Sequence, residues 1–110
     1  MKLPNGDRAV VDMRKLREYC LSTRHPRGRH KARVFASVLG VKDTDTELLY
    51  SALIHAASEE EAERGAEDKY GARYSVDFEM SGPAGKGVVR RFWIIRSGES
   101  FPRLTTCFVM

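Results

Sequence analysis

The chain has 110 residues, of which 42% are hydrophobic and 31% are charged, and its formal net charge is +4. This composition excludes an intrinsically disordered chain, and the length predicts one domain over residues 1–110 with a single modest core. No apolar run reaches the length of a membrane span, and the N-terminal residues lack the apolar core of a signal peptide. We therefore expect a cytoplasmic protein that does not enter the membrane.

The charge is distributed unevenly along the chain. Residues 1–42 carry eleven basic and three acidic side chains, residues 43–79 carry three basic and eleven acidic ones, and residues 80–110 carry five basic and one acidic. Two basic ends around an acidic middle predict one basic patch built from both ends of the chain. Such a patch favours a polyanion, and nucleic acid is the commonest one.

The two cysteines, Cys20 and Cys107, are too few for a disulfide framework and lack the spacing of metal ligands. We expect both to be reduced thiols buried in the core. The sequence predicts neither a metal site nor a cofactor.

The first half of the chain predicts helices. The apolar residues 9–11 favour a short strand, and Asp12 after them can cap a helix. Helical spacing of apolar residues predicts a first helix over residues 13–21. A His-Pro pair and a glycine break the pattern over residues 22–28. A second helix is expected over about residues 29–39, with a glycine as its stop.

A third helix has a clear predicted start. Thr44 followed by Glu47 fits a capping box. Its expected core face consists of Leu48, Leu49, Ala52, Leu53 and Ala56. The acidic, glycine-punctuated residues 58–72 that follow predict a fraying helix end and an exposed linker.

From residue 73 the hydrophobic period changes to two, which predicts strands. Strands are expected over residues 73–80, 87–96 and 103–110, separated by Gly/Pro-rich turns, with residues 8–11 as a candidate fourth strand. The predicted fold class is therefore α+β: about three N-terminal helices packed on an antiparallel meander of three to four strands, formed mainly by the C-terminal half.

The side chains suited to chemistry are His, Lys, Arg and Thr. The chain has no P-loop, dinucleotide fingerprint, nucleophile elbow or zinc spacing. Its inventory suits metal-independent cleavage of RNA, in which the 2′-hydroxyl attacks the phosphate. That reaction needs a base, an acid and cations that stabilise the charge on phosphorus. Of the three histidines, His25 and His30 lie in the basic stretch RHPRGRHKAR, whereas His55 is expected to be structural or exposed.

Strand parity leaves two alternatives open. Arg90 and Arg91 lie on opposite faces of the second predicted strand, and Thr105 and Thr106 on opposite faces of the third. Because each face carries at least one Arg, parity alone does not choose between Arg90 and Arg91 or between Thr105 and Thr106.

Three stretches resemble a known family of small bacterial domains of poorly defined function. They are KLREYCLSTRHPRGRHKARVFASVLG, YGARYSVDFEM and PRLTTCFVM, and the likeness runs from about Leu16 to Val109. Similar domains occur alone and as C-terminal toxin domains of contact-dependent inhibition and polymorphic toxin systems. Those toxins look like members of the barnase–EndoU–colicin–RelE superfold of metal-independent ribonucleases. The resemblance implies helices packed on an antiparallel sheet, with the active site on the open face of the sheet.

The resemblance also implies site residues at the matching polar positions. His25 is the expected general base or acid, Lys31 and Arg90 the groups that stabilise the phosphorane, and Thr106 the group that positions a phosphate oxygen. His30 is less favoured, because similar toxins carry a small polar residue there. The expected RNA-binding residues are Arg24, Arg27, Arg29, Arg33, Arg103 and Thr105.

The predicted function is therefore an endoribonuclease toxin that leaves a 2′,3′-cyclic phosphate on RNA and is paired with a small acidic antitoxin or immunity protein. The alternative is a non-catalytic module that binds nucleic acid or protein, including a partner that neutralises a toxin. The sequence leaves the oligomeric state open.

Overall fold

The first helical segment begins directly after Asp12. The computed structural model describes residues 1–110, and helix α1 comprises Met13–Lys15 and a π-helical continuation over Leu16–Cys20. The Asp12 carboxylate accepts a hydrogen bond from the backbone N–H of Arg14 at 2.9 Å. The predicted cap is thus confirmed, because this carboxylate occupies one of the free N–H groups at the start of the helix.

The second helical segment, α2, comprises Arg29–Val34 and a π-helical continuation over Phe35–Leu39. It ends at Gly40, whose φ of 72° is a left-handed conformation that glycine adopts without steric cost. Gly28 precedes the helix, and a Cβ at this position would lie 2.4 Å from the carbonyl oxygen of Tyr19. Glycine therefore allows the start of α2 to approach the end of α1 closely.

The third helix, α3, spans Thr46–Glu59 and is preceded by one 3-10 turn that ends at Asp45. The predicted capping box of Thr44 and Glu47 is wrong. The Asp45 carboxylate instead accepts a hydrogen bond from the backbone N–H of Lys42 at 3.0 Å. The N-cap position of α3 is therefore Asp45 rather than Thr44, one residue later than the sequence predicts.

One side of α3 contributes to the core. Three residues of its predicted core face are buried and a fourth is half-buried: Leu49, Leu53, Ala56 and Ala52. The prediction is wrong for Leu48, which is 45% exposed, and it omits Ala57, which is fully buried. The buried stripe follows steps of four and three residues from Leu49, and Leu48 lies beside this stripe.

A four-stranded antiparallel sheet forms the second half of the chain. Its strands are β1 (Glu63–Asp68), β2 (Gly71–Gly82), β3 (Gly85–Arg96) and β4 (Arg103–Val109), and their order in the sheet is the same as their order in sequence. The α+β fold is thus confirmed. β2 and β3 are longer than predicted, because their pairing continues to a two-residue turn between Gly82 and Gly85.

The predicted linker is wrong over residues 63–68, which form the edge strand β1. Glu63 pairs with Ser75 of β2, and ion pairs join Arg64 to Glu67 and Arg73 to Asp68. All six residues of β1 are exposed. The strand therefore lacks the alternation of apolar and polar residues by which strands are predicted.

The candidate strand over residues 8–11 is also wrong. Only one bridge forms there, between Val10 and Arg103, in the parallel sense. The backbone N–H of Val10 donates to the carbonyl oxygen of Pro102 at 2.9 Å, and the N–H of Leu104 donates to that of Val10 at 3.0 Å. The 3-10 turn Gly6–Arg8 limits the extended backbone ahead of this bridge.

The pairing of β3 with β4 contains a bulge. Phe92 lies opposite Thr106, but the next pair joins Trp93 to Leu104. Thr105 is therefore an extra residue on β4.

The helices cover one face of the sheet and leave the other face open. The covered face buries, among others, Val76 and Phe78 of β2, Val89 and Trp93 of β3, and Cys107 of β4. None of the helices is both long and apolar enough to span a membrane.

Candidate functional site

The arginines of the basic stretch are exposed and form no ion pairs. We call residues 24–33 the basic segment; it connects α1 to α2 and forms the first turns of α2. Its four arginines, Arg24, Arg27, Arg29 and Arg33, are all exposed, and none forms an ion pair. Unpaired exposed guanidinium groups retain their full attraction for an anionic ligand.

His25 occupies the turn of the basic segment and is half-buried. Its Nδ1 accepts hydrogen bonds from the backbone N–H groups of Arg27 at 3.1 Å and Gly28 at 3.3 Å. Its ring packs against that of Tyr19 in a T-shaped arrangement, with 4.6 Å between the ring centroids. Because Nδ1 acts as the acceptor, the neutral ring carries its hydrogen on Nε2. His25 therefore offers an N–H donor to a ligand rather than a free lone pair.

Two adjoining depressions surround His25, and we call them together the helical cleft. One, of about 440 Å³, is lined by Asp12, Arg14, Lys15, Glu18, Tyr19 and His25. The other, of about 470 Å³, is lined by Arg17, Glu18, Ser22, Arg24, His25 and Asp43. Glu18 and His25 line both depressions. The cleft thus brings one imidazole and three carboxylates together with four cationic side chains, and of the carboxylates only Glu18 lines both depressions.

Of the four cations in the helical cleft, only Arg14 forms an ion pair, with Glu18 at 3.7 Å. Both partners are largely exposed, which makes this contact weak and easily exchanged for a ligand. Lys15, Arg17 and Arg24 are exposed and form no ion pair. The cleft can therefore neutralise a phosphate without first breaking a strong internal contact.

A second group of candidate residues lies on the open face of the sheet. Lys31 reaches it from α2, with its Nζ 4.7 Å from the centroid of the Phe108 ring. Phe108 lies opposite Arg90 on the neighbouring strand, and its ring is 5.9 Å from that of Phe92. Thr106 lies opposite Phe92. We call these five residues the sheet-face cluster.

Arg90 is held by a carboxylate. Its Nε and Nη2 each donate a hydrogen bond of 2.9 Å to Asp77 of β2. These bonds lower the pKa of Asp77 and raise that of Arg90. Together with Glu63 and Phe92, the pair lines a depression of about 390 Å³ on the open face. Three of the four charged side chains that line this depression are carboxylates. They would repel a phosphate, which could bind there only after Arg90 had separated from Asp77.

The other candidate residues on the sheet either form hydrogen bonds within the protein or are buried. Arg103 donates two hydrogen bonds to Glu99, at 2.9 and 3.0 Å. The Thr105 hydroxyl, in the bulge, donates to the carbonyl oxygen of Phe92 at 2.9 Å. The Thr106 hydroxyl is buried without a hydrogen-bond partner. Of these polar groups, Thr106 alone has its hydrogen-bonding capacity unused.

Burial distinguishes the two neighbouring arginines of β3, Arg90 and Arg91. Arg90 lies on the open face of the sheet, and Arg91 is fully buried beneath the helices. The Arg91 Nη1 donates to the carbonyl oxygen of Leu53 at 3.0 Å, and burial lowers its pKa to about 10. Arg91 is therefore part of the core and is inaccessible to RNA.

The chain contains no cluster of three or more His, Cys, Asp or Glu side chains with the geometry to hold a metal ion.

Nearly the whole chain matches one protein family. The family described as "Domain of unknown function (DUF6883)" matches residues 2–110. The chain belongs to this family. No curated protein sequence matches this DUF6883 domain at a significant level.

A solved structure shares the fold of the DUF6883 domain. It is a chain of a contact-dependent growth inhibition toxin–immunity protein complex from Klebsiella pneumoniae 342. The two chains are 20% identical and superpose with a TM-score of 0.69, over 92% of this chain and 99% of that chain. At this identity the likeness establishes a common fold, and membership of the ribonuclease superfold stays a prediction.

In the DUF6883 domain the four predicted catalytic residues lie in two separate places. Lys31, Arg90 and Thr106 meet in the sheet-face cluster around Phe108. His25 lies in the helical cleft, and neither depression that it lines includes any of those three. His30 and His55 are exposed and line none of the depressions described here.

Sequence reasoning missed Glu18 and the two phenylalanines of the sheet-face cluster. Glu18 lies on the solvent side of α1, where a charged residue needs no special explanation. Phe92 and Phe108 are half-buried on the open face, next to cations. Strand parity shows that Phe92 shares a face with Arg90, so this juxtaposition was available from the sequence.

Proposed function

We propose that this DUF6883 domain is a metal-independent endoribonuclease of a toxin–immunity system and that its reaction takes place in the helical cleft. One observation carries the proposal: Glu18 and His25 line the same two depressions, among cations that are mostly free of internal ion pairs. A carboxylate, an imidazole and several cations can supply the base, the hydrogen-bond donor and the charge stabilisation that attack of a 2′-hydroxyl on phosphorus requires.

The two residues have complementary roles in the proposed reaction. The Glu18 carboxylate takes the proton of the 2′-hydroxyl, whose oxygen then attacks phosphorus. The Nε2–H of His25 donates a hydrogen bond to the leaving 5′-oxygen as negative charge develops on it, because Nδ1 is occupied by the backbone of its own turn. The proton that Glu18 has taken passes to this oxygen as its bond to phosphorus breaks, which restores the carboxylate. Arg17 and Arg24 stabilise the added charge on phosphorus.

RNA would extend from the helical cleft along the basic segment. Arg27, Arg29 and Arg33 would bind backbone phosphates, since they are exposed and unpaired. In the sheet-face cluster, Phe92 and Lys31 would contact an unpaired base and its phosphate.

The toxin side of such a system fits the charge of the chain. Its net charge of +4 and free arginines suit RNA as a substrate and a small acidic protein as a neutralising partner. The structural neighbour comes from a complex of a toxin with its immunity protein.

The proposal is tested by inducing the protein in a bacterial host. We expect growth arrest with degradation of cellular RNA, and we expect Glu18→Gln and His25→Ala to abolish both. Loss of an acid–base group lowers such a rate by about 10²–10⁴-fold. His30→Ala is the matched control, since this exposed histidine lies outside the helical cleft. Arrest that persists in both cleft variants would refute the site.

The acidic edge strand favours one alternative function, a non-catalytic partner of a toxin. β1 is exposed at all six positions and carries Glu63, Glu67 and Asp68. A cationic protein would find complementary charge there. Normal growth and intact RNA on induction, with protection against a co-expressed toxin, would support this alternative over the ribonuclease.

A further inference from the structure

The open face of the sheet has an acidic side and an apolar side. Three rows of paired residues cross it, and in each row the carboxylate lies on β1 or β2 while the apolar side chains lie at β3 and β4. The rows are Glu63, Ser75, Phe92 and Thr106; Asp77, Arg90 and Phe108; and Glu79, Val88 and Met110. Charge and hydrophobicity therefore change across the strands rather than along them.

The apolar side chains of these rows form an uncovered patch. The rings of Phe92 and Phe108 are 5.9 Å apart, and both residues are half-buried. Val88 and Met110 are 40% and 61% exposed. The helices leave these side chains uncovered, because they pack on the opposite face of the sheet. Apolar side chains gathered on an uncovered face indicate an interaction surface.

Unpaired charges of opposite sign border the two sides of this face. Next to the apolar side, Lys31 extends from α2 to within 4.7 Å of the Phe108 ring centroid and forms no ion pair. On the acidic side, Glu63 and Glu79 form no ion pair either, whereas Asp77 is already paired. The cation and the free carboxylates lie at opposite edges of one sheet, so they do not meet within the chain.

We propose that two copies of the DUF6883 domain pair through their open sheet faces, about a twofold axis that runs along the strands between β3 and β4. This rotation places β3 of each copy over β4 of the other. Val88 of one copy then meets Met110 of the other, and Lys31 of each copy enters the depression that Glu63 and Asp77 line in the other. Packing of two sheets with their strands aligned is common among antiparallel sheets.

The charges of the face favour a second copy over other proteins. An acidic partner would be repelled by the carboxylates on β1 and β2, and a basic partner would be repelled by Lys31. A second copy presents both charges in the reversed order together with the same apolar patch, as a self-complementary twofold interface requires.

The pairing goes beyond the proposed ribonuclease function and does not depend on it. The helical cleft and the depression on the sheet share no lining residue. Phe92 and Lys31 also lie on the proposed path of RNA, so RNA bound there and the second copy exclude each other. The association is therefore measured in the absence of RNA.

Sedimentation equilibrium of the purified protein measures the association. Strands β2, β3 and β4 form most of the paired surface, which is roughly 1,000 Å² in total at a strand spacing of about 4.8 Å and a rise of about 3.4 Å per residue. This area is near the lower limit of a specific interface, so we expect a dissociation constant of about 10–100 μM.

An exchange of charges identifies the surface. Lys31→Glu creates two contacts between like charges in each dimer, and Glu63→Lys does the same, so either variant alone should weaken association more than about tenfold. An equimolar mixture of the two variants should restore it, because each variant supplies the charge that the other has lost. Lys42→Glu is the control: it makes the same change of charge at an exposed position between α2 and α3 and should leave association unchanged.

Two results would overturn the proposal. The first is a protein that stays monomeric up to a concentration of about 1 mM. The second is a dimer that Lys31→Glu and Glu63→Lys leave unchanged, or that their mixture fails to restore, since either outcome would place the contact outside this face.

Discussion

The helical cleft with its basic segment and the open face of the sheet both carry many arginines, but they hold them differently. Of the five arginines on the sheet that are not fully buried, four form an ion pair with a carboxylate, and only Arg96 does not; the paired ones are Arg64, Arg73, Arg90 and Arg103. In the basic segment none of the four arginines forms an ion pair. Arginine charge is thus mostly compensated on the sheet and left free in the basic segment.

This difference separates structural charges from charges available to a ligand. An arginine paired with a carboxylate must lose that partner before it binds a phosphate, whereas an unpaired exposed arginine loses only water and counterions. The net positive charge of the chain is therefore effective mainly around α1 and the basic segment. We therefore expect RNA to bind mainly at α1 and the basic segment and to make fewer contacts with the sheet.

The largest effect on RNA binding is expected for the double variant Arg27→Gln/Arg29→Gln. Loss of two phosphate contacts on a single strand should lower the dependence of log affinity on log salt by about 1.4 and the affinity at 0.15 M salt roughly tenfold. A salt titration of binding to single-stranded RNA measures both quantities.

The matched control is Arg64→Gln/Arg73→Gln, which removes two arginines that are paired on β1 and β2. We expect its salt dependence to equal that of the unaltered protein. Equal losses in the two double variants would show that pairing does not distinguish the regions.

A smaller effect is expected for Phe92→Leu. If an unpaired base stacks on this ring in the sheet-face cluster, the affinity for single-stranded RNA should fall roughly fivefold with an unchanged salt dependence. Phe101→Leu is the control, because Phe101 contacts Arg8 and Arg103 away from the cluster. Unchanged binding by Phe92→Leu would remove the sheet face from the proposed RNA path.

A gain is expected for Asp77→Asn, because it releases Arg90 from its bidentate ion pair. One additional free cation should raise the affinity for single-stranded RNA about threefold at 0.15 M salt. An unchanged affinity would mean that Arg90 lies outside the reach of bound RNA even when it is free.

The smallest effect concerns stability in acid. Arg90 holds the pKa of Asp77 below its ordinary value of 3.8, so the folded state binds this proton less readily than the unfolded state. The stabilising contribution is present above pH 3.8 and is lost as the pH falls through the lower folded value. Urea unfolding below pH 4 should therefore show a weaker pH dependence in Asp77→Asn. An identical dependence would contradict this coupling.

The fold was largely predictable from hydrophobic periodicity. The wrong predictions concern elements whose residues are polar and therefore leave no hydrophobic pattern. β2, β3 and β4 alternate or carry long apolar runs, and all three are confirmed. β1 has no buried side chain, so its pairing with β2 leaves no trace in the hydrophobic pattern. The start of α3 was misplaced because the sequence does not show which of several polar residues bonds the local backbone.

The site was predictable in its residue types but not in its grouping. The basic segment stands out by its composition, whereas His25 was preferred to His30 only through the resemblance to a known family. The Nδ1 contacts of His25 depend on the backbone path of its own turn, which no residue pattern specifies. The separation of His25 from Lys31 and Arg90 depends on how α1 and α2 pack at the edge of the sheet.

The central claim, metal-independent RNA cleavage in the helical cleft, is tested most directly by incubating the purified protein with total bacterial RNA in excess EDTA. We predict fragments that end in a 2′,3′-cyclic phosphate, formed by the unaltered protein and by His30→Ala but not by Glu18→Gln. RNA that stays intact, or cleavage that requires a divalent metal ion, would contradict the claim.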